Sequence, residues 1–384
     1  MTTHNFATID GRKIFYREAG PATAPAVVLL HGFPSSSHMF RDLIPKLAGD
    51  FRVIAPDYLG FGYSDQPGAK DYHYTFDNLA GLIEKLLFEE LKLSRFAIFV
   101  QDYGAPVGFR IASQHPEAIT GIVVQNGNAY VEGISPAFEP LKAFWTNRTV
   151  KTEQPVRDLL TAQATLFQYT HGAKEPSKIS PDSYTFDQLF LDRPGNDAIQ
   201  LDLFHNYPSN VALYDEWHAY FRKQQPPMLI VWGQNDPFFT VEGARAFQRD
   251  LPKAELHLLD GGHFALEEHS DVVAGHMKRF LSNGKGNQMR AIVIEQYGGP
   301  EQLAIRHLPD VRNRSIGRSF FLNLDEKRPF EAVALALEVS PGNHHARRLY
   351  ESLGFRLRRN STLTRRLGER GPSRRSVIIC RSNP

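Results

Sequence analysis

Three residues of this 384-residue chain combine a type and a setting that could carry chemistry. They are Asp102 in FVQDYGAPVGFR (99–110), Asp236 in VWGQNDPFF (231–239) and His263 in LLDGGHFALEEH (258–269). Each follows an apolar run and stands near small residues, a setting that lets one side chain project above the end of a strand. A carboxylate at such a turn is a poor nucleophile for acyl carbon, because attack on an ester carbonyl would leave a strained mixed anhydride. Attack on an sp3 carbon displaces a halide or opens an epoxide and leaves an alkyl ester on the aspartate. Water activated by His263 can then attack that ester's carbonyl carbon, with Asp236 orienting the imidazole and stabilising its charged form. Each residue also has a plainer reading. Asp102 could be a turn former, Asp236 a helix N-cap and His263 a packed histidine. The shared position of all three at strand ends favours the catalytic reading. Asn126, at the end of another strand, does not ionise and cannot replace Asp236.

The elements that must hold these residues are legible as alternating patterns over the first 284 residues. AVVLLHGF (26–33), FRVIAPD (51–57), RFAIFVQD (95–102), ITGIVVQN (119–126), PMLIVWG (227–233) and AELHLLD (254–260) read as strands. The first is a continuous apolar run, as expected of a strand buried on both faces. Residues 38–48, 76–91 and 104–115 have helical spacing, and the last of these stops before Pro116. Strand–helix alternation predicts an α/β fold, a doubly wound, mostly parallel sheet with helices on both faces. Between Asn128 and Gln225 the pattern becomes helical and rich in Tyr, Phe, Trp and Pro, with no clear strand. This insertion, about 129–225, is expected to form a helical cap over the carboxyl ends of the strands, where such sheets bind ligands.

The order nucleophile, acid, histidine resembles that of the α/β-hydrolases, and the resemblance covers about residues 5–282. HGFP (31–34) follows the first buried strand, and DYLGFGYSD (57–65) looks like the loop after the next one. HGFP together with QDYG (101–104) is similar to the epoxide hydrolase and haloalkane dehalogenase branch. The resemblance implies a triad of Asp102, His263 and Asp236, and an oxyanion hole from the backbone N–H groups of Phe33 and Tyr103. It also implies a cap residue that assists the leaving group, for which Tyr207 in FHNYPSN (204–210) is the first candidate and Trp145 in KAFWTN (142–147) a second. That branch commonly has Trp after the nucleophile, where this chain has Tyr103. Pro34 stands where many dehalogenases have Asn. Both departures favour an epoxide over a haloalkane or haloacid.

Composition sets the frame. Hydrophobic residues make up 42% and charged residues 22%, as in a globular protein. No apolar run approaches the roughly 18 residues of a membrane span, and the N-terminus carries no signal pattern. The single cysteine, Cys380, allows no internal disulfide and fits a cytoplasmic location. No Cys/His spacing suggests a metal and no cofactor is expected. The expected partner is a small-molecule substrate, with neither nucleic acid nor membrane; a homodimer is compatible with the chain.

The net charge of +2 hides an asymmetry. Residues 1–284 hold 25 Lys and Arg against 33 Asp and Glu, a balance of −8, while residues 285–384 hold 19 against 9, a balance of +10. The expected organisation is an α/β-hydrolase domain over 1–283, a linker with a second fragment over 284–311, and a third segment over 312–384. MRAIVIEQYGGPEQLAIRHLPDV (289–311) resembles the start of a medium-chain quinone reductase or alcohol dehydrogenase. Residues 312–380 resemble the second half of an acetyl-CoA-dependent N-acetyltransferase. That resemblance implies cofactor contacts at Arg312, Gly317, Asn343 and Tyr350, and an acetyltransferase is one alternative activity. Half a domain cannot complete its own core, so the segment is expected to be a short α/β extension left by gene fusion. A non-catalytic, ligand-binding member of the fold is the remaining alternative.

Overall fold

The computed structural model describes residues 1–284 and, beyond them, six short strands. The chain divides into two compact units, Met1–Gly284 and Lys285–Pro384.

The first unit is built on one eight-stranded sheet. Its strands are β1 (Thr3–Ile9), β2 (Arg12–Ala19), β3 (Ala26–Leu30), β4 (Arg52–Pro56), β5 (Phe96–Gln101), β6 (Ile119–Gln125), β7 (Met228–Gly233) and β8 (Glu255–Leu259). Their order across the sheet is β1-β2-β4-β3-β5-β6-β7-β8. The hairpin β1–β2 and the pair β2–β4 are antiparallel, and every later pair is parallel. The order reverses between β4 and β3 and then runs outward through β5, which brings the carboxyl ends of β5, β6, β7 and β8 to one edge.

Alternation along the central strands divides the core into two layers. Val28, Leu30, Ile98, Val100, Ile230 and Trp232 face one side, with helices Phe76–Lys85, Gly104–Gln114, Tyr214–Gln224 and Val241–Asp250. Val27, Leu29, Ala97, Phe99, Leu229 and Val231 face the other, against helices Leu43–Leu47 and Ala265–Gly284. Both faces are covered, so β3 and β5 have no exposed residue and read as unbroken apolar runs. The helix at Phe76 starts where the amphipathic pattern predicts. The Thr75 side chain accepts from Asn78 N–H at 3.1 Å, and Asp77 lies in the first turn against the positive end of the helix dipole.

Between β6 and β7 the regular elements are all helices, as the spacing predicts, apart from an isolated bridge of Ile134 to Phe239. The insertion is not all roof. Its last helix, Tyr214–Gln224, joins the layer over the sheet, with Trp217 on Phe109 at 5.5 Å and Phe221 on Phe247 at 5.8 Å. Aromatic side chains along one face of that helix supply the apolar stripe a core-facing helix needs.

In the second unit, Met289–Ile294 pairs antiparallel with Leu303–Leu308 and with Ile378–Ile379. Thr362–Arg365 pairs with Leu335–Glu338 and Arg356–Arg358. Arg312, Gly317, Asn343 and Tyr350 lie outside the described residues.

Candidate active site

The strand β5 ends at Gln101 and the next helix begins at Gly104, leaving two residues for the turn. Asp102 takes φ 48, a left-handed backbone that costs a non-glycine residue about 1–3 kcal/mol. That strain is held by close packing on both sides. A Cβ on Gly104 would collide with the Leu30 carbonyl oxygen. One on Gly32 would collide with the Asp102 side chain and lie 2.5 Å from Gln101 Oε1. Glycine at these two positions is what lets the turn approach β3 and the HGFP loop. The Phe33 N–H donates to Asp102 Oδ1 at 2.7 Å, and the Tyr103 N–H faces the same carboxylate. Burial pushes the Asp102 carboxyl up from its ordinary range; His263 and these two N–H groups pull it back in part.

His263 and Asp236 come from the turns after β8 and β7. His263 is 1% exposed. Its Nδ1 lies 2.8 Å from Asp236 Oδ2, and its Nε2 lies 4.0 Å from Asp102 Oδ2. A carboxylate accepts, so Nδ1 carries the proton and the neutral ring presents its Nε2 lone pair towards Asp102. Burial works against a charged imidazole here. The Asp236 charge and hydrogen bond, with Asp102 behind them, outweigh it and leave the His263 pKa raised. Phe238, Phe239 and Phe264 surround the ring, at 5.3, 5.9 and 5.2 Å between centroids.

Three amides complete this cluster, and their roles were not visible in the sequence. Asn126, at φ 45 after β6, donates to Asp236 Oδ2 at 2.8 Å and to Gly233 O at 3.1 Å, and accepts from Gly233 N–H at 2.8 Å. Phe238 N–H donates to the other Asp236 oxygen at 2.7 Å. Gln125 donates to the His263 carbonyl at 3.0 Å. Gln101, next to Asp102, places its Nε2 3.0 Å from His263 Nε2. The only available signal was that these amides end strands beside the three candidates.

A cavity opens onto Asp102 and His263. Its walls include Phe33, Tyr103, Phe138, Leu141, Phe204 and Phe238, and among the described residues no Lys or Arg lines it. The insertion between β6 and β7 contributes two polar side chains to it, Tyr207 and Gln168. Tyr207 is 4% exposed, its ring 6.3 Å from that of Tyr103, and burial first of all raises its pKa far above 10, so the phenol keeps its proton. Trp145 does not line this cavity. Its indole stacks on the Tyr207 ring at 5.4 Å and 8°. Its Nε1 and the Tyr103 hydroxyl are buried and unpartnered among the described residues. No helix among the described residues is long and apolar enough to cross a membrane.

The chain is similar to known proteins. The α/β-hydrolase fold family matches residues 25–270. An uncharacterized hydrolase of Saccharomyces cerevisiae is 42% identical over 275 residues, 71% of this chain and 94% of that protein. A haloalkane dehalogenase of Mycobacterium marinum is 45% identical over 274 residues, 68% of this chain and 86% of its own. Among solved structures, the epoxide hydrolase CorEH without ligand superposes with TM-score 0.60 at 21% identity, covering 74% of this chain and 99% of that one.

Proposed function

This chain belongs to the α/β-hydrolase fold family and is an enzyme of it; from that premise we propose that it hydrolyses a neutral substrate at an sp3 carbon through an alkyl ester on Asp102. The observation that carries this reading is the carboxylate at the elbow. Its Oδ1 is held by the Phe33 N–H at 2.7 Å, while its Oδ2 is the oxygen 4.0 Å from His263 Nε2. In the first step Oδ2 attacks carbon and the carbon–oxygen bond of an epoxide breaks. The ring oxygen takes the Tyr207 proton. In the second step His263 Nε2 takes a proton from water as the water oxygen bonds to Asp102 Cγ. The developing oxyanion on Oδ1 is stabilised by the Phe33 and Tyr103 N–H groups, each such donor being worth about 2.7–4 kcal/mol. Collapse breaks the ester bond, His263 protonates the departing alkoxide, and the acid left on Asp102 returns its proton to Tyr207. The balance is epoxide plus water giving a diol.

Tyr207 in the cavity wall supports an epoxide as the preferred substrate, since a phenol can supply the proton that ring opening needs. A neutral haloalkane is the second reading, favoured by the 45% identity to a haloalkane dehalogenase and by the unpartnered Tyr103 hydroxyl beside Asp102. Among the described residues no Lys or Arg lines the cavity, which argues against haloacids, whose carboxylate would be buried without a counter-charge. The last hundred residues are read as a fusion remnant, and no step of this chemistry is assigned to them.

The test is product analysis with alkyl and aryl epoxides, haloalkanes, haloacetates and simple esters, with Asp102→Asn alongside. Diol formation lost in the variant is the expected result. Halide release lost in the variant selects the second reading. Ester hydrolysis that survives in the variant removes Asp102 from its role.

A further inference from the structure

The Nε2 nitrogen of His263 must accept a proton from water during ester hydrolysis, yet it already has a partner. Gln101 Nε2 lies 3.0 Å from it, and Gln101 is fully buried. Which end of this amide faces the ring follows from the ring itself. Asp236 requires a proton on His263 Nδ1, so in the neutral ring Nε2 is an acceptor and only the NH2 end of Gln101 can meet it. The other end, Gln101 Oε1, is buried beside Gly32 with no hydrogen-bond partner among the described residues. A buried amide oxygen without a partner costs about 1–3 kcal/mol, so a site that keeps one asks for an explanation.

The reaction supplies one. When water gives its proton to His263, Nε2 becomes a donor, and a Gln101 NH2 group facing it would set donor against donor. Rotation of the amide about its last torsion exchanges NH2 and oxygen without changing the volume filled. The oxygen that has no partner in the neutral state then accepts the new Nε2 proton. We propose that Gln101 is a positioning residue for His263 in the hydrolytic half-reaction. Its NH2 end holds the neutral base in register, yields the lone pair to water, and its oxygen end then holds the imidazolium until the alkoxide leaves. No atom is gained or lost in the rotation. The proton passes from water to Nε2 and from Nε2 to the alkoxide, and Gln101 only exchanges one hydrogen bond for another. Among the described residues the charged groups facing His263 are Asp236 on the Nδ1 side and, until it is esterified, Asp102 on the Nε2 side; its ring neighbours Phe238, Phe239 and Phe264 do not titrate. Gln101 is therefore the neutral group placed to respond to the ring's proton.

This inference rests on the alkyl-ester reading, and the experiment separates the two. The full-length protein, Gln101→Met, Gln101→Glu and His263→Gln are mixed with an epoxide or haloalkane that the parent converts. Intact mass then follows the alkylated protein and product release follows hydrolysis, between about pH 5.5 and about pH 9, a window that brackets histidine titration. Adduct must accumulate in His263→Gln; if none forms, the ester reading fails and the role of Gln101 falls with it. With that control positive, Gln101→Met is expected to form adduct at the parent's rate and hydrolyse it about tenfold more slowly. Gln101→Glu, nearly the same shape, favours the imidazolium and is expected to move the acidic limb of hydrolysis up by about one pH unit. Thermal midpoints show whether either variant is merely misfolded, and the pH limb of the better-folded one then decides. Hydrolysis at the parent's rate with the parent's pH profile in both variants overturns the proposal.

Discussion

Asn126 and Asp236 lie at the ends of adjacent strands, β6 and β7, and the Asn126 amide donates to the Asp236 carboxylate at 2.8 Å. The same Asn126 side chain exchanges two hydrogen bonds with the Gly233 backbone. It fixes both the carboxylate and the strand end that presents it. Asn126→Ala leaves the Gly233 groups and one Asp236 oxygen short of partners. We expect a loss of stability of about 1–3 kcal/mol, read by urea unfolding. Turnover should fall by roughly tenfold to a hundredfold, well short of the ~10⁴ that follows loss of the acid's charge, so Asp236→Asn in parallel ranks the two.

Hydrolysis of the enzyme ester should have an acidic limb set by His263. In the free enzyme the His263 pKa is raised, because the Asp236 charge and hydrogen bond, with Asp102 behind them, outweigh the burial that opposes its charge. In the ester Asp102 is uncharged, so its share is lost and the limb of hydrolysis should lie below the value His263 has in the free enzyme. Rapid-quench measurements should therefore find alkylated protein building up as pH falls through the histidine range, around pH 6.5, while alkylation, which needs the Asp102 carboxylate and the Tyr207 proton, falls off as Asp102 is protonated. Hydrolysis with no acidic limb in the histidine range would count against His263 as the base.

Gly104→Ala tests the elbow. The added methyl would meet the Leu30 carbonyl oxygen, which belongs to β3 in the centre of the sheet and cannot move aside. The expected cost is more than about 3 kcal/mol, in the range of severe overpacking, seen as a lowered unfolding midpoint. A neutral result would mean that the turn has freedom the packing does not show.

A fourth expectation concerns Asp187, which lies in the helix Pro181–Leu191 and accepts from Tyr169 Oη at 2.5 Å. Burial raises its pKa from 3.8 to about 7. The folded chain then holds a proton that the unfolded chain releases, so this group's contribution to stability falls as pH rises from about 4 to about 7. Asp187→Asn removes that dependence. Melting curves should show the variant gaining on the parent as pH increases across this window. An equal difference at both ends would place the cause elsewhere.

The reading of strands from sequence succeeded where burial on both faces leaves only apolar residues, as in β3, β5 and β7. It missed the hairpin β1–β2, whose strand THNFATI is half polar because one face meets solvent. The signal there was Asp10-Gly11, both with positive φ, a dipeptide that closes two-residue hairpins. Asp102, Asp236 and His263 stood out because each follows a strand, which local pattern reveals. Gln101 and Asn126 stand at equally local positions, but their partners are 162 and 110 residues away, and an amide shows its purpose only through its partners. Trp145 and Tyr207 were chosen by place in the chain. Which of two neighbouring rings faces a cavity depends on helix packing that spacing does not encode. The helix Tyr214–Gln224 looked like roof because its aromatics match those around it. Its burial against Phe109 and Phe247 assigns it to the floor.

The long insertion leaves the sheet after β6 and returns at β7, and those two strands are direct neighbours, paired from Ile122↔Met228 to Val124↔Ile230. A detour of any length between two such points closes at an entropic cost that grows only slowly. The paired register is fixed by the strands and not by what lies between them. The insertion can thus be lengthened or shortened while the carboxylates and the imidazole keep their spacing. The triad and the segment that brings Tyr207 to it are separable pieces of the chain.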